Sequence, residues 1–228
     1  AVDSELGVIQ PIPEMREILK DFPNCRLHVD ATQAIGRIPF SFKGLDTMAL
    51  AAHKFGGING SGILVKRADL VLEPQMHGGV SATLYRSGTP ALALDASTEL
   101  ALRMALEGRE RHWVHAERLN RRLREELSKR PGVRINSPEG AVPYILNISV
   151  DGIRGAAFQR ALAEREVCVS VKSACSVEGT PSRAVFAVSR DRKNALSSWR
   201  ISLSWPTTDK EITEFLRLFD ECRQQLSK

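Results

Sequence analysis

The chain of 228 residues has few cysteines, few aromatic residues and no long hydrophobic run. Its four cysteines, Cys25, Cys168, Cys175 and Cys222, show no C-x-x-C spacing, which argues against a zinc cage and against a secreted disulfide framework. No apolar run approaches the ~20 residues that cross a bilayer, and no signal-like stretch opens the chain. We therefore expect a cytoplasmic protein in a reducing compartment, with no metal and no membrane partner.

The composition is that of an ordinary globular protein, with 43% hydrophobic and 26% charged residues, which excludes a disordered or collagen-like chain. Thirty-two Lys and Arg against 27 Asp and Glu leave a net charge of +5. Much of the excess falls in residues 118–130, on a helix whose other face is a leucine stripe. Because no nucleic-acid motif accompanies these arginines, we expect no nucleic-acid partner.

The hydrophobic pattern predicts an α/β fold. A short helix over 12–21 is followed by strand-like segments at 26–30, 46–52 and 61–66, the last two around a glycine-rich stretch. Strands that alternate with helices imply a mostly parallel sheet covered on both faces. Ligands in such sheets bind beyond the carboxyl ends of the strands.

Two long helices are predicted next, over 90–107 and 109–129, and we place the domain boundary between them. This boundary separates residues 1–108 from residues 109–228. The elements predicted for the second domain are strands at 133–136, 143–150, 167–171 and 199–204, a helix at 155–166 and a C-terminal helix.

Lys54 lies in the densest cluster of candidate residues, after a strand, beside His53 and before the glycine-rich run 56–62. A phosphate-binding P-loop would place the lysine after the glycines, so that motif is excluded. A lysine at a strand end forms a Schiff base when its amine is partly desolvated or near another cation, and the alternative is a surface lysine before a hairpin. Asp30, at the end of an earlier strand, would pair with the pyridine nitrogen of pyridoxal phosphate, although such a residue also suits a turn or a helix cap.

Three further segments carry candidate chemistry. Cys175 lies in a polar loop near Lys172, where a thiolate nucleophile is one interpretation, whereas Cys168 between two valines is predicted to be buried. Arg200, in a strand of apolar alternation, either clamps a substrate carboxylate through two hydrogen bonds or extends into water. The glycine-bearing connection 77–90, which contains Thr89 and leads into a helix, suits a phosphate.

The order of the motifs is more specific than any one of them. In chain order they are Glu5-Leu6-Gly7-x-x-Gln10-Pro11-Ile12, His28-Val29-Asp30-Ala31-Thr32-Gln33-Ala34-Ile35-Gly36, Ala52-His53-Lys54, His77-Gly78-Gly79, Arg86-Ser87-Gly88-Thr89, Ser173-Ala174-Cys175-Ser176 and Trp199-Arg200-Ile201-Ser202-Leu203. This set resembles the cysteine desulfurases of the NifS and IscS type, within the class V aminotransferase family of fold-type I pyridoxal-phosphate enzymes. The resemblance covers nearly the whole chain. It implies that residues 1–108 are the C-terminal portion of the large, cofactor-binding fold-type I domain, and that residues 109–228 form a smaller α+β domain that carries the loop of Cys175.

The resemblance implies a cofactor site for pyridoxal 5'-phosphate. Lys54 would form the Schiff base with the cofactor and then carry the proton at the substrate α-carbon. Asp30 would hold the pyridinium nitrogen, and Gln33 the ring hydroxyl. His53 would join the contacts on the phosphate side, and Thr89 would reach the phosphate of the neighbouring subunit's cofactor in a homodimer.

The resemblance also implies the substrate and the partners. Arg200 would clamp the carboxylate of L-cysteine, and the Cys175 thiolate would attack the substrate sulfur, which leaves a persulfide on the enzyme and releases L-alanine. A mobile loop suits this role because the sulfur must then travel to an acceptor or scaffold protein, as in the assembly of iron–sulfur clusters or thio-cofactors.

Three departures from the family pattern keep other interpretations open. Ala51 stands where family members usually carry a phosphate-binding serine, and Asp3-Ser4 replaces an Asn-Asn pair. The chain starts at Ala1 without a methionine, and it has no counterpart of the earlier family segment that supplies a stacking histidine and a phosphate-gripping turn. The alternatives are a degenerate homologue that acts as a binding module, or another class V enzyme such as a transaminase or a selenocysteine lyase.

Overall fold

A computed structural model describes residues 1–80, 83–172 and 179–227 of the chain. The fold divides into two compact units. The first comprises Ala1 and Gln10–Arg109, and the second comprises Val2–Ile9 and Glu110–Lys228. None of the described helices is both long and apolar enough to cross a membrane.

The first unit contains a three-stranded sheet in the order β1-β2-β3. Its elements are helix α1 (Ile12–Leu19), strand β1 (His28–Asp30), strand β2 (Thr47–Ala51), a 3₁₀ turn (Ala52–Lys54), strand β3 (Gly62–Lys66) and the first half of helix α2 (Leu92–Ser128). Strands β1 and β2 are parallel, whereas β2 and β3 are antiparallel. The sheet that was predicted to be mostly parallel is thus mixed in the part of the chain that the structure describes.

The buried side of this sheet consists of Val29, Met48 and Leu50. Residues 31–38 follow β1 as two helical turns, in which backbone amides donate to the carbonyls of Ala31 and Ala34. These turns approach α2 closely. Gly36 has a φ of +72°, and a Cβ atom built on it would lie 2.6 Å from the Cβ of Ala105. Glycine is therefore required here both for the backbone conformation and for the space.

Helix α2 corrects the predicted pair of helices, because Leu92–Ser128 is one continuous helix of 37 residues. The predicted break fell at Gly108, but a single glycine costs a helix only ~1 kcal/mol relative to alanine. Packing along α2 outweighs this cost. The leucine stripe of Leu119, Leu123 and Leu127 is fully buried, as the fourfold spacing predicted.

The second unit is an antiparallel sheet in the order β4-β5-β6 with helices packed on it. Its elements are β4 (Val133–Ile135), β5 (Ile145–Val150), α3 (Gly155–Ala163), α4 (Arg183–Ser189), α5 (Arg192–Ser197), β6 (Ser198–Ser202) and α6 (Asp209–Leu226). The core is centred on Trp199, which stacks on Phe158 at 5.0 Å between ring centroids, with Phe219 stacked on the same Phe158 ring at 4.9 Å.

Two predictions for the second unit are wrong. The expected strand at 167–171 is a single bridge, in which Ser170 pairs with Arg200. Cys168 is exposed, whereas Val167 and Val169 are partly buried against the core. Side chains of an extended segment point alternately to opposite faces, so the residue between two inward-facing valines faces outward.

Candidate active site

Asp30 and Lys54 lie at the carboxyl ends of two neighbouring parallel strands. Strand β1 ends at Asp30, which is in register with Ala49 of β2. Strand β2 continues to Ala51, and the 3₁₀ turn that follows it ends at Lys54. Parallel strands of an α/β sheet end at the edge where ligands bind. The expectation that the two residues sit on neighbouring strand ends is confirmed.

The carboxyl group of Asp30 is held in its ionised form. Partial burial acts to raise its pKa, but hydrogen bonds from the hydroxyl and the backbone amide of Thr32, together with the N-terminal amino group and His28 nearby, keep the pKa below its usual value. The backbone amide of Thr32 donates to Oδ1 of Asp30 at 2.8 Å. An exposed carboxylate at a strand end is able to pair with a cation, including a protonated ring nitrogen.

A tight turn presents Lys54 to solvent. The carbonyl of Ala52 accepts hydrogen bonds from the backbone amides of Phe55 at 3.1 Å and Gly57 at 2.9 Å. Ala52 is fully buried, and a Cβ atom on Gly57 would lie only 2.8 Å from its methyl group. The turn is therefore anchored at Ala52. The side chain of Lys54 is exposed and lies between the antiparallel strands β2 and β3, as the alternative of a surface lysine before a hairpin describes, and not in a desolvated position.

The glycine-rich loop after Lys54 is fixed by hydroxyl groups on the first turns of α2. The amide of Ile58 donates to Oγ of Ser97 at 3.3 Å, and Oγ of Ser61 lies 2.6 Å from Oγ1 of Thr98. The Thr98 hydroxyl also donates to the carbonyl of Leu94 at 2.7 Å. These two helix hydroxyls, which were not predicted to contribute, hold the loop that connects Lys54 to strand β3.

Gln33 and Lys54 share a common partner, Arg37. The Nη1 group of Arg37 donates to Oε1 of Gln33, and its Nη2 group donates to the backbone carbonyl of Lys54 at 3.2 Å. Gln33 and Arg37 are four residues apart on the helical turns of 31–38, so their side chains lie on one face. Both side chains are partly buried. The i, i+4 spacing was the available signal for Arg37, which sequence reasoning missed.

His53 and Thr89 are both exposed residues of the first unit. Thr89 follows a segment in which the Ser87 hydroxyl donates to the carbonyl of His77 at 3.0 Å. A Cβ atom on Gly78 would lie 2.9 Å from the Ser87 side chain, so the two glycine motifs of this connection are in contact. Within the described ranges, no hydrogen bond or ion pair joins Thr89 to Lys54, and its role stays a prediction.

Arg200 belongs to the second unit and is held by three neutral oxygens. Its Nη1 donates to the carbonyl of Ser4 at 2.6 Å, its Nη2 to the Ser170 hydroxyl at 3.1 Å and its Nε to the Ser202 hydroxyl at 3.0 Å. Burial lowers the pKa of the guanidinium group, and the nearby carboxylates of Glu5 and Asp3 oppose this effect. The side chain is thus ordered and partly buried.

The turn that supplies the Ser4 carbonyl is tied down by polar contacts of its own. Oδ1 of Asp3 accepts the backbone amides of Glu5 at 3.0 Å and Leu6 at 2.6 Å. The buried carboxylate of Glu5 accepts a hydrogen bond of 2.6 Å from the hydroxyl of Ser182. Asp3 and Ser4 replace the Asn-Asn pair of the family pattern, and Ser4 contacts Arg200 through its backbone carbonyl.

Cys175 lies outside the described residues, which end at Lys172 on one side and resume at Gly179 on the other. At this boundary the ammonium group of Lys172 donates to the carbonyl of Thr180 at 2.9 Å and to its hydroxyl at 2.8 Å. Among the described residues, no group of three or more His, Cys, Asp and Glu side chains is placed to hold a metal ion.

Residues 1–215 match the family model described as aminotransferase class-V. The chain belongs to the class V aminotransferase family. This membership agrees with the resemblance inferred from the order of the sequence motifs.

Among class V relatives, the chain is 34% identical over its full length to a protein of Lactobacillus delbrueckii subsp. bulgaricus named "NifS/IcsS protein homolog", of which it covers 60%. It is 32% identical over 95% of its length to a protein of Mycobacterium tuberculosis named "IscS-like cysteine desulfurase", of which it covers 56%. The chain therefore spans between 56% and 60% of the length of these two curated relatives.

A solved NifS-like protein from Rickettsia africae superimposes with a TM-score of 0.89 at 28% identity, covering 98% of this chain and 60% of that protein. This likeness confirms the expected α/β fold, a partial fold-type I architecture. The part of this class V chain that superimposes includes both sheets, the mixed sheet with Asp30 and Lys54 at its carboxyl edge and the antiparallel sheet with Arg200.

Proposed function

We propose that this chain carries the cofactor lysine, the ring-binding carboxylate and the sulfur-accepting cysteine of a pyridoxal-phosphate-dependent cysteine desulfurase. The observation that supports this most directly is the parallel pairing of β1 and β2, with an ionised Asp30 at the end of one strand and an exposed Lys54 just beyond the other. Relatives named cysteine desulfurase, similar along nearly the whole chain, support the same activity.

The described residues fit pyridoxal 5'-phosphate. Asp30 offers an ionised carboxylate for a protonated pyridine nitrogen, and Lys54 offers an exposed primary amine for a carbonyl group. We assign Gln33 to the ring hydroxyl and His53 to the phosphate side, with Thr89 reaching the phosphate site of a second subunit. When bound, the cofactor would supply an electron sink for the substrate α-carbon.

Two residues of the chain would handle the substrate before sulfur transfer. The amine of Lys54 would take the proton from the α-carbon of L-cysteine and return it later. The guanidinium group of Arg200 would bind the α-carboxylate through two parallel hydrogen bonds. The neutral oxygens that now bind Arg200 use three of its five donors, so the remaining donor on each terminal nitrogen would form the charge-assisted bonds to the carboxylate.

Cys175 would perform the sulfur transfer. Its thiolate attacks the substrate sulfur, so that a sulfur–sulfur bond forms as the carbon–sulfur bond breaks. The electron pair of the broken bond stays with the carbon, which takes up a proton and leaves as L-alanine, while the enzyme retains a persulfide. The contact of Lys172 with Thr180 would tie the two ends of the Cys175 loop together.

Domain roles, partners and compartment follow from this assignment. Residues 1–108 would bind the cofactor, and residues 109–228 would carry the sulfur loop. The partners would be L-cysteine, a protein that accepts or scaffolds the transferred sulfur, and a second copy of the chain in a homodimer. The described cysteines Cys25, Cys168 and Cys222 are all free thiols, which suits a reducing compartment such as the cytoplasm.

A binding module with impaired catalysis is the second candidate, and Ala51 is the observation that favours it. This residue ends β2 at the approach to Lys54, and its methyl group has no hydroxyl to offer a phosphate. In this case the chain would retain the fold and bind partners while holding the cofactor weakly.

Cofactor binding and sulfide release distinguish the two candidates. We expect the chain mixed with pyridoxal phosphate to develop visible absorbance that Lys54→Ala abolishes, and equal spectra for the two proteins would contradict the cofactor assignment. Sulfide release from L-cysteine should be lost in Cys175→Ser. It should persist in Cys168→Ser, which removes an exposed thiol elsewhere on the same unit. Cofactor absorbance without Cys175-dependent sulfide release would favour the binding module.

A further inference from the structure

Arg37 is the described residue that joins two of the assigned cofactor residues. It donates one hydrogen bond to the side chain of Gln33 and another, of 3.2 Å, to the backbone carbonyl of Lys54. A guanidinium group is planar and rigid, so two acceptors that share it are held in a defined relation to each other. The position of the Gln33 side chain is therefore coupled to the backbone that carries Lys54.

The chemistry of this contact determines which end of the Gln33 amide remains available. Arginine has five donors and no acceptor, so the atom that faces it must be the amide oxygen. This assignment holds even though the oxygen and nitrogen of an amide are exchanged by a simple flip. With Oε1 engaged by Arg37, Gln33 offers a ligand its Nε2 donor group.

We propose that Arg37 is a positioning residue that orients the Gln33 amide as a hydrogen-bond donor toward the cofactor ring hydroxyl. This inference rests on the proposed function for the identity of the ligand, but the Arg37–Gln33 contact itself exists without any ligand. An amide fixed in this way binds an anionic ring oxygen without first having to select between two flipped orientations. A freely rotating amide would lose part of the binding free energy to that selection.

The contact is tested first in the ligand-free protein. Selective ¹⁵N labelling of glutamine gives six side-chain amide pairs, and Gln33→Ala identifies the pair of Gln33. We expect this pair to shift and to exchange faster with solvent in Arg37→Met, because the fixed acceptor contact is lost. Arg26→Met removes the same charge from an exposed arginine of the same unit and should leave the pair unchanged. An unchanged Gln33 pair in Arg37→Met would overturn the proposal.

Titration with pyridoxal phosphate tests the consequence for the ligand. Arg37→Met should weaken cofactor binding about fivefold, the effect of one neutral hydrogen bond. The pH at which the visible absorbance changes should also move upward, since a donor to the ring oxygen stabilises its anionic form. Arg37→Lys keeps the charge without the rigid fork and should restore these properties only in part.

A double-mutant cycle separates positioning from a general structural role. If Arg37 acts through Gln33, Arg37→Met should change the cofactor spectrum in the native background and add nothing in Gln33→Ala. Additive effects of the two substitutions would overturn the positioning role. A different outcome is that the native chain fails to bind the cofactor while the Gln33 amide signals still respond to Arg37→Met. That outcome would count against the proposed function and would leave the Arg37–Gln33 contact supported.

Discussion

Ser170 is bound to Arg200 through both backbone and side chain. The amide of Ser170 donates to the Arg200 carbonyl at 3.1 Å, the amide of Arg200 donates to the Ser170 carbonyl at 2.6 Å, and the Ser170 hydroxyl accepts a bond from Nη2 of Arg200 at 3.1 Å. The proposed carboxylate clamp is thereby fixed to the segment that precedes Cys175 in the sequence. The three donors that bind Ser4, Ser170 and Ser202 would then orient the remaining donor on each terminal nitrogen of Arg200 for a substrate carboxylate.

Removal of the Ser170 hydroxyl tests the alignment of Arg200. We expect Ser170→Ala to raise the KM for L-cysteine in sulfide release about fivefold and to change kcat little, because one hydrogen bond that orients the guanidinium group is lost. Ser128→Ala removes an exposed hydroxyl on α2 and serves as the control. An unchanged KM in Ser170→Ala would show that the other two partners suffice to align Arg200.

The Glu5–Ser182 pair predicts a loss of stability. The buried Ser182 hydroxyl donates to Glu5 and also caps helix α4 by accepting the amide of Val185 at 3.0 Å. Ser182→Ala removes the cap and deprives a buried carboxylate of one donor, which should lower the free energy of unfolding by about 2 kcal/mol. Urea unfolding measures this difference, and Ser128→Ala should unfold like the native chain.

The part of the site that local patterns could predict lies at the carboxyl edge of the first sheet. Apolar runs of strand length that end near Asp30 and Lys54 were sufficient to place both residues there. The partners of Arg200 were not predictable in this way, since Ser4 and Ser170 are 196 and 30 residues away along the chain. Such contacts depend on tertiary packing, which no periodicity records.

Short helices were missed for a different reason. Helices α4 and α5 have seven and six residues, too few for a helical period to stand out. Their caps were visible in the sequence, however, since Asp191 accepts the backbone amides of Lys193 and Asn194 at the start of α5. Capping residues are thus the more useful signal for helices of this length.

The described cysteines should differ sharply in reactivity. Cys25 and Cys168 are exposed, whereas Cys222 on α6 is fully buried. In the folded protein, iodoacetamide should label the first two thiols and spare Cys222, which should react only after unfolding. Mass spectrometry of the labelled chain measures this, and rapid labelling of Cys222 would show that α6 detaches readily.

The same burial predicts a dependence of stability on alkaline pH. Burial raises the pKa of Cys222, since it disfavours the thiolate. The folded chain therefore favours the protonated thiol of Cys222. The stability that comes from this protonated thiol is fully present below the pKa of the thiol in the unfolded chain, and it is lost as the pH rises through the pKa of the thiol in the folded chain. Urea unfolding at neutral and alkaline pH should show a smaller alkaline loss in Cys222→Val, and equal losses would contradict the assignment.

Gly36 and Gly140 allow the cost of a steric clash to be separated from the cost of a backbone conformation. Both have positive φ, +72° and +79°, but a Cβ on Gly36 would meet the Cβ of Ala105 at 2.6 Å, whereas a Cβ on Gly140 would meet nothing within 4 Å. Gly140→Ala should cost about 1 kcal/mol for the left-handed conformation alone. Gly36→Ala should cost about 2–4 kcal/mol, because overpacking against α2 is added. Equal losses in thermal or urea unfolding would mean that the turns at 31–38 move away from α2 without penalty.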